Sequence, residues 1–279
     1  MLSYRHGFHA GNFADVFKHI LLIYLIKNLK LIGNLTFIDG FAGGGKYFAE
    51  SEFMKKNKEY RTGILKLLNS KFDDIFIETY LDIVRKYNQT NIFKVYPGSG
   101  LIASEIMDKK DNIFLAEYHS NEYLNLKNNI NENDRIIIKK INTYKFLNKI
   151  LSNFKSQNQK LVLVDPSYET KDEYSKVINL VSHAISQFKD VIFLIWYPIL
   201  GNEKNNSFEK KFLGQKFNFL TSIKIILENN ILRMQGTGFL ILNYKKEISS
   251  SLNQTLNLVI NFLKEKNKKI FVSINNYNI

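Results

Sequence analysis

Apolar residues along this 279-residue chain recur with two different periods. Val16, Ile20, Ile23, Tyr24 and Ile26 fall at helical spacing behind Asn12 to Asp15, a stretch able to cap a helix, and Gly33-Asn34 ends it. Leu35–Asp39 then reads as a strand and runs directly into Gly40-Phe41-Ala42-Gly43-Gly44-Gly45-Lys46. From about Ala49 to Val95 the pattern is helical and polar with no strong strand, which predicts an inserted helical subdomain. Pro97-Gly98-Ser99 opens a further helix near Gly100–Met107.

After that, strands and helices alternate. Strands are predicted over Asn112–Glu117, Arg135–Lys139, Lys160–Val164 and Val191–Tyr197. Helices are predicted over Asn121–Ile130, Thr143–Asn153, Tyr174–Phe188 and, briefly, Ser207–Phe212. Phe219–Glu228 and Gly238–Tyr244 read as a closing antiparallel pair, Leu252–Lys266 as a last helix and Ile270–Ile274 as an edge strand. Such alternation predicts an α/β fold, a mainly parallel sheet covered by helices on both faces. Residues 1–48 and 96–279 form its main domain and residues 49–95 the insert.

Composition adds a bias towards polyanions. Lys and Arg number 39 against 26 acids, a net charge of +13, which suits RNA, DNA or an acidic membrane. Only five of those cations are arginines: Arg5, Arg61, Arg85, Arg135 and Arg233. The absence of cysteine excludes disulfides and cysteine-ligated metals and fits the cytoplasm. The N-terminus lacks an apolar signal core. The longest apolar runs, Ile20–Ile26 and Val191–Leu200, are too short to span a bilayer, so no membrane partner is expected. Three histidines, His6, His9 and His19, crowd the first twenty residues, but without an acid pair at ligand spacing no metal is expected. A monomer is the expected state.

Three stretches carry chemistry. Leu161-Val162-Leu163-Val164 ends abruptly in Asp165-Pro166-Ser167-Tyr168. An acceptor side chain, a carbonyl freed from strand pairing and an aromatic face suit a planar base with an exocyclic amine. The motif is close to the D/N-P-P-aromatic signature of amine-directed methyltransferases, with Ser167 in place of the second proline. The glycine turn after Asp39 has two readings. Gly40-x-x-x-x-Gly45-Lys46 matches the start of a P-loop, but Tyr47 stands where a P-loop needs Ser or Thr for magnesium. An acid followed by a short glycine turn is instead typical of S-adenosylmethionine sites. Third, Asp39, Glu117, Asn142 and Asp165 all fall at or just past strand ends, where ligands of open α/β sheets bind. Glu117 is suited to ribose hydroxyls and Asn142 to an adenine edge. Lys18 and His19, on the first helix, are placed to line the pocket. Tyr4-Arg5-His6 mixes aromatic and cationic groups that suit unpaired bases.

With these residues assembled, the chain resembles the RlmJ family of bacterial 23S rRNA adenine-N6 methyltransferases. The resemblance is carried by Met1 to Asn12 almost residue for residue, then by Asp15 and Lys18-His19. It continues through Asp39 with Ala42-Gly43-Gly44-Gly45, Tyr96-Pro97-Gly98-Ser99, Glu117, Asp165-Pro166-Ser167-Tyr168, Trp196-Tyr197-Pro198 and Gly236-Thr237-Gly238. It implies a Rossmann-like class I methyltransferase that uses S-adenosylmethionine and acts on adenine 2030 of 23S rRNA. It implies that His19, Ser99, Glu117 and Asp165 contact the cofactor, with Lys18, Asp39, Phe41, Gly43, Asn142 and Thr143 completing that site. Asp165 is the implied catalytic acceptor, aided by the Pro166 carbonyl, with Tyr168 stacking on the base and Tyr4 and His6 contacting substrate. The family has His at Phe41, Asp-Gly at Asn142-Thr143 and Pro at Ser167. The alternatives are a DNA adenine-N6 methyltransferase sharing the same loop, a P-loop NTPase, and a non-catalytic RNA-binding descendant.

Overall fold

A computed structural model describes residues 6–89, 92–153, 158–200, 204–214, 219–227, 234–245, 250–264 and 269–278. Helix α1 (Phe13–Lys30) starts where the Asn12 side chain accepts the Asp15 N–H at 3.0 Å, satisfying one of the amides that a first helical turn leaves unpaired. The helix is buried on nearly every side, with Phe17, Leu21, Leu22 and Leu25 all fully enclosed. It is a core helix, not an amphipathic surface one. Against that background Asp15, Lys18 and His19 are conspicuous: all three are buried, and their spacing of three and four places them on one face.

Strand β1 (Leu35–Asp39) is buried at every position, as a strand covered on both sides must be. Two three-residue strands, β2 (Lys46–Phe48) and β3 (Val95–Pro97), pair antiparallel and bracket the segment between them. The sequence pattern showed no strand there, because three residues are too few to establish a period of two. Between them lie helices α2 (Glu52–Asn57) and α3 (Ile75–Lys86). Ile77, Tyr80, Leu81 and Val84 of α3 bury into the same apolar cluster as α1.

The central sheet is completed by β4 (Asn112–Glu117), β5 (Ile136–Lys140), β6 (Gln159–Val164), β7 (Val191–Leu200), β8 (Phe219–Leu227), β9 (Met234–Leu242) and β10 (Ile270–Asn278). Its eight strands run in the order β10-β8-β9-β7-β6-β1-β4-β5. Strands β7, β6, β1, β4 and β5 are parallel, while β9, β8 and β10 pair antiparallel. Helices α1, α3, α4 (Ser99–Ile106) and α9 (Ser250–Leu263) cover one face, and α6 (Thr143–Asn153), α7 (Glu173–Gln187) and α8 (Lys204–Leu213) the other. Helix α5 (Ser120–Asn129) follows β4. The predicted α/β architecture is therefore the observed one. β10 extends four residues past the predicted Ile274, since Asn275 to Asn278 keep pairing with β8 although only Tyr277 among them carries an apolar signal. No helix among the described residues is long and apolar enough to cross a membrane.

The connections leave β1 towards β4 on one side, and β6 pairs with β1 on the other. The strand order thus reverses at β1, which opens a crevice at the carboxyl ends of these strands.

Candidate active site

A cavity of about 880 Å³ fills that crevice. Of the residues anticipated from the sequence, His6, Lys18, His19, Phe41, Gly43, Ser99, Glu117, Asn142, Thr143, Asp165 and Pro166 all line it. The fold brings them together from the turn before α1, α1 itself, the β1 loop, the starts of α4 and α6, and the ends of β4, β5 and β6.

At one wall stands a chain of charges. The Lys18 ammonium donates to Asp15 Oδ1 at 2.7 Å and to Asp165 Oδ2 at 2.6 Å. Asp15 Oδ2 also pairs with His6 Nε2 and accepts the Gly11 N–H, both at 2.9 Å. Burial opposes charge on Lys18, but the two carboxylates outweigh it and raise its pKa well above the ordinary lysine value. Burial likewise pushes Asp15 up, yet His6 and Lys18 hold its carboxyl well below the usual range. Asp165 is thereby fixed at the end of β6 by a partner on α1, with Pro166 beside it at the cavity wall.

The glycine turn forms the floor. Gly40 N–H donates to Leu163 O on β6 and Ala42 N–H to Ala116 O on β4, at 3.1 and 3.0 Å, so the loop straddles β1's two neighbours. Thr143 closes over Gly40, its Oγ1 donating to the Gly40 carbonyl at 2.5 Å. Gly43 has φ +58°, and a Cβ there would collide with the Tyr47 hydroxyl. A Gly43→Ala variant is therefore expected to lose roughly 1–2 kcal/mol to the backbone alone, and Tyr47→Phe in addition should restore only part of it. Urea denaturation of the single and double variants checks this; equal stability of Gly43→Ala and the parent would contradict it.

The P-loop reading fails here. A strand, β2, follows the loop where a P-loop needs a helix, and the Lys46 ammonium lies 5.4 Å from the centroid of the Tyr87 ring rather than at the cavity wall.

Two carboxylates flank the turn. Glu117 Oε2 accepts the Gly43 N–H at 2.9 Å and Oε1 the His119 N–H at 2.6 Å. Burial nonetheless pushes its pKa up to about 7, against the pull of those two amides. Asp39 differs from expectation. It lies one layer behind the cavity, fully enclosed, taking the Ser99 hydroxyl at 2.5 Å and the Phe41 N–H at 3.0 Å. Burial lifts its pKa to about 6 despite these donors. Its geometry makes it a brace for the loop and for Ser99, not a lining group.

On the opposite wall, Phe41 packs edge-on to Tyr144 with ring centroids 5.3 Å apart. Asn142 Oδ1 is buried and has no hydrogen-bond partner. An orphaned acceptor at a cavity wall is costly and calls for a donor from a ligand.

Tyr168 also departs from expectation. Its backbone adopts φ +52°, rare for a bulky residue, and this turns the ring away from the cavity. Its hydroxyl donates to Trp196 O at 2.8 Å, and the ring packs 4.5 Å from that of Tyr174 and 5.8 Å from that of Trp196. In this arrangement it anchors the Asp165 loop to β7 and is not among the residues that line the cavity. Tyr4 lies outside the described residues. His6, assigned to substrate, is at the cavity wall with its ring 4.9 Å from Tyr47. Sequence reading assigned no role in the site to Asp15, Tyr80, Tyr96 or Tyr144. For Asp15 the available signal was a polar stripe at spacing three and four on an otherwise apolar helix.

Among the described residues no group of three or more His, Cys, Asp or Glu is placed to hold a metal ion.

Comparison with known proteins gives the family. The chain is 28% identical over 259 residues to ribosomal RNA large subunit methyltransferase J of Escherichia coli (strain K12), covering 92% of each. It is 30% identical over 267 residues to the protein of the same name from Haemophilus influenzae, covering 92% of this chain and 94% of the relative. In fold it matches the crystal structure of a Legionella pneumophila protein with a TM-score of 0.83 at 24% identity, over 95% of this chain and 98% of that one. A family model matches residues 33–273, and the chain belongs to that family, ribosomal RNA large subunit methyltransferase D, RlmJ.

Proposed function

We propose that this protein transfers a methyl group from S-adenosylmethionine to the N6 amine of one adenine in 23S rRNA, position 2030 by family analogy, acting as a monomer in the cytoplasm. The observation that carries the reading is that Asp165 and Pro166 open into the same cavity as the glycine turn, Glu117 and Asn142.

The residues present fit the cofactor. The orphaned Asn142 oxygen matches the adenine amine, the ribose hydroxyls match the Glu117 carboxylate, and the Gly43 turn lines the same cavity beside them. When bound, S-adenosylmethionine supplies a methyl group on a sulfonium centre. The protein's part is alignment and charge. The amine of adenine is a poor nucleophile because its lone pair is delocalised into the ring. Asp165 and the Pro166 carbonyl each accept one amine hydrogen, which favours a tetrahedral nitrogen with its lone pair free to attack. Lys18 occupies Asp165 Oδ2, leaving Oδ1 for the amine. The proton lost from nitrogen passes to Asp165.

Glu117 adds a pH signature. Hydroxyl donors favour its charged form, so binding is expected to lower its pKa from about 7 and release a proton. Affinity for S-adenosylhomocysteine should then rise with pH up to about 7 and level off above it. Calorimetry in two buffers of different ionisation enthalpy at pH 6.5 measures the release; no net proton exchange would contradict the assignment.

Labelled methyl transfer to protein-free 23S rRNA fragments, compared with duplex DNA, tests the proposal as a whole. The expected result is N6-methyladenine in the RNA alone. Transfer to DNA would favour the DNA methyltransferase reading. RNA binding without cofactor binding would favour a non-catalytic descendant.

A further inference from the structure

Behind the cavity wall lies a buried polar chain that the transfer step does not use. His19 Nδ1 is 2.8 Å from the Tyr96 hydroxyl, and that hydroxyl is 2.9 Å from the hydroxyl of Tyr80. His19 is 1% exposed, and both tyrosines are fully enclosed. The His19 and Tyr96 rings are nearly parallel, 25° apart with centroids 5.6 Å apart. The chain joins three elements: α1, β3 and, through Tyr80, α3.

If His19 and Tyr80 both donated to Tyr96, the buried Tyr96 hydrogen would be stranded, which leaves two directions. In the first, His19 donates from Nδ1 to Tyr96, Tyr96 donates to Tyr80, and the Tyr80 hydrogen is left without an acceptor in the described hydrogen bonds. In the second, Tyr80 donates to Tyr96, Tyr96 donates to His19 Nδ1, and the one hydrogen left over is that on Nε2 of His19, a residue that lines the cavity. A buried unsatisfied donor is costly, so the second direction prevails. It obliges the imidazole to carry its proton on Nε2. We propose that Tyr96, oriented by Tyr80, is a positioning residue that fixes His19 as the Nε2–H tautomer, so that the cavity receives one neutral N–H donor for an acceptor group of the cofactor.

Electrostatics agree with the neutral ring. Burial, then the adjacent Lys18 ammonium, push the His19 pKa down to about 3, so the ring stays uncharged at physiological pH. Burial raises the pKa of both tyrosines, which keeps their hydroxyls protonated and able to donate. A neutral donor beside the Lys18–Asp15–Asp165 chain recognises an acceptor without adding a second charge to that wall. The choice of ligand rests on the methyl-donor reading; the tautomer does not.

Long-range proton–nitrogen NMR of the ligand-free, nitrogen-15 histidine-labelled protein, assigned with His19→Gln, reads the tautomer directly. The expected spectrum is a single neutral form protonated at Nε2. Tyr96→Phe should let the Nδ1-protonated form gain population and weaken S-adenosylhomocysteine binding about tenfold, the worth of one hydrogen bond. Tyr80→Phe should leave the tautomer unchanged, since the Tyr96 hydrogen still has Nδ1 as its acceptor. A merely structural pair would not produce this asymmetry. A wild-type ring protonated at Nδ1, or a Tyr96→Phe protein that binds S-adenosylhomocysteine within twofold of the parent, would overturn the proposal. A wild-type protein that shows the Nε2 form but binds no S-adenosylhomocysteine would refute the methyl-donor reading and leave the tautomer assignment standing.

Discussion

Asp165→Ala should lower methyl transfer by about a thousandfold or more, the scale seen when an aligned hydrogen-bonding group is removed from a transition state. The variant loses the acceptor for the amine hydrogen and the anchor that Lys18 holds at 2.6 Å. Lys18 keeps Asp15 at 2.7 Å, so the buried ammonium stays paired and the fold survives. Affinity for S-adenosylhomocysteine should fall far less than turnover, because Glu117, Asn142 and the glycine turn are untouched. Asp165→Asn retains one acceptor oxygen without charge and should fall between the two. A single-turnover assay separates these quantities. Activity of Asp165→Ala within tenfold of the parent would remove Asp165 from the reaction.

The second large effect is on stability, at Asp15. Its carboxylate is 3% exposed and takes three partners: His6, the Gly11 N–H and Lys18. Asp15→Ala strands the Gly11 N–H and leaves a buried ammonium with Asp165 alone. Breaking a buried charged network from one side costs about 3–5 kcal/mol, which for a chain of this size lowers the melting temperature by roughly 10 °C. Asp15→Ala combined with Lys18→Met should cost less than the two changes summed, because the buried ammonium that Asp15→Ala leaves short of a partner is gone as well. The pH dependence follows from the direction of the shift. The Asp15 carboxyl is held below its unfolded value, so its contribution is intact above that value and fades as pH falls towards the folded one. Melting curves at pH 7 of the two single variants and the double close the cycle. A loss under about 1 kcal/mol for Asp15→Ala would mean the network contributes little.

Much of this site was legible because its parts sit at strand ends. The run Leu161–Val164 had to stop at Pro166, and stopping there places Asp165 at the rim of a parallel sheet, which is where it is found. The glycines after Asp39 announced a tight turn at the β1 switch point. What escaped sequence reading is what depends on distant partners. Lys18 and Asp165 are 147 residues apart, and His19 and Tyr96 are 77 apart, so neither contact leaves a local pattern. Asp15 is the exception: its partners His6, the Gly11 N–H and Lys18 all lie within nine residues of it, yet it was read only as part of a helix start and of the resemblance. Asp39 shared the strand-end signature of Glu117, yet the loop folds back over it and makes it a brace. Tyr168 followed the motif's aromatic position, but a left-handed backbone at that residue redirects the ring to β7. Backbone sign at a single non-glycine residue has no signature in composition or periodicity.

Nucleotide-resolution mapping of N6-methyladenosine in 23S rRNA tests the central claim most directly, using rRNA from cells lacking the gene, treated with the wild-type protein or with Asp165→Ala. One adenine should gain the mark with the wild-type protein and none with the variant. Methylation at a different base or ring atom, or an equal mark from both proteins, would contradict the account.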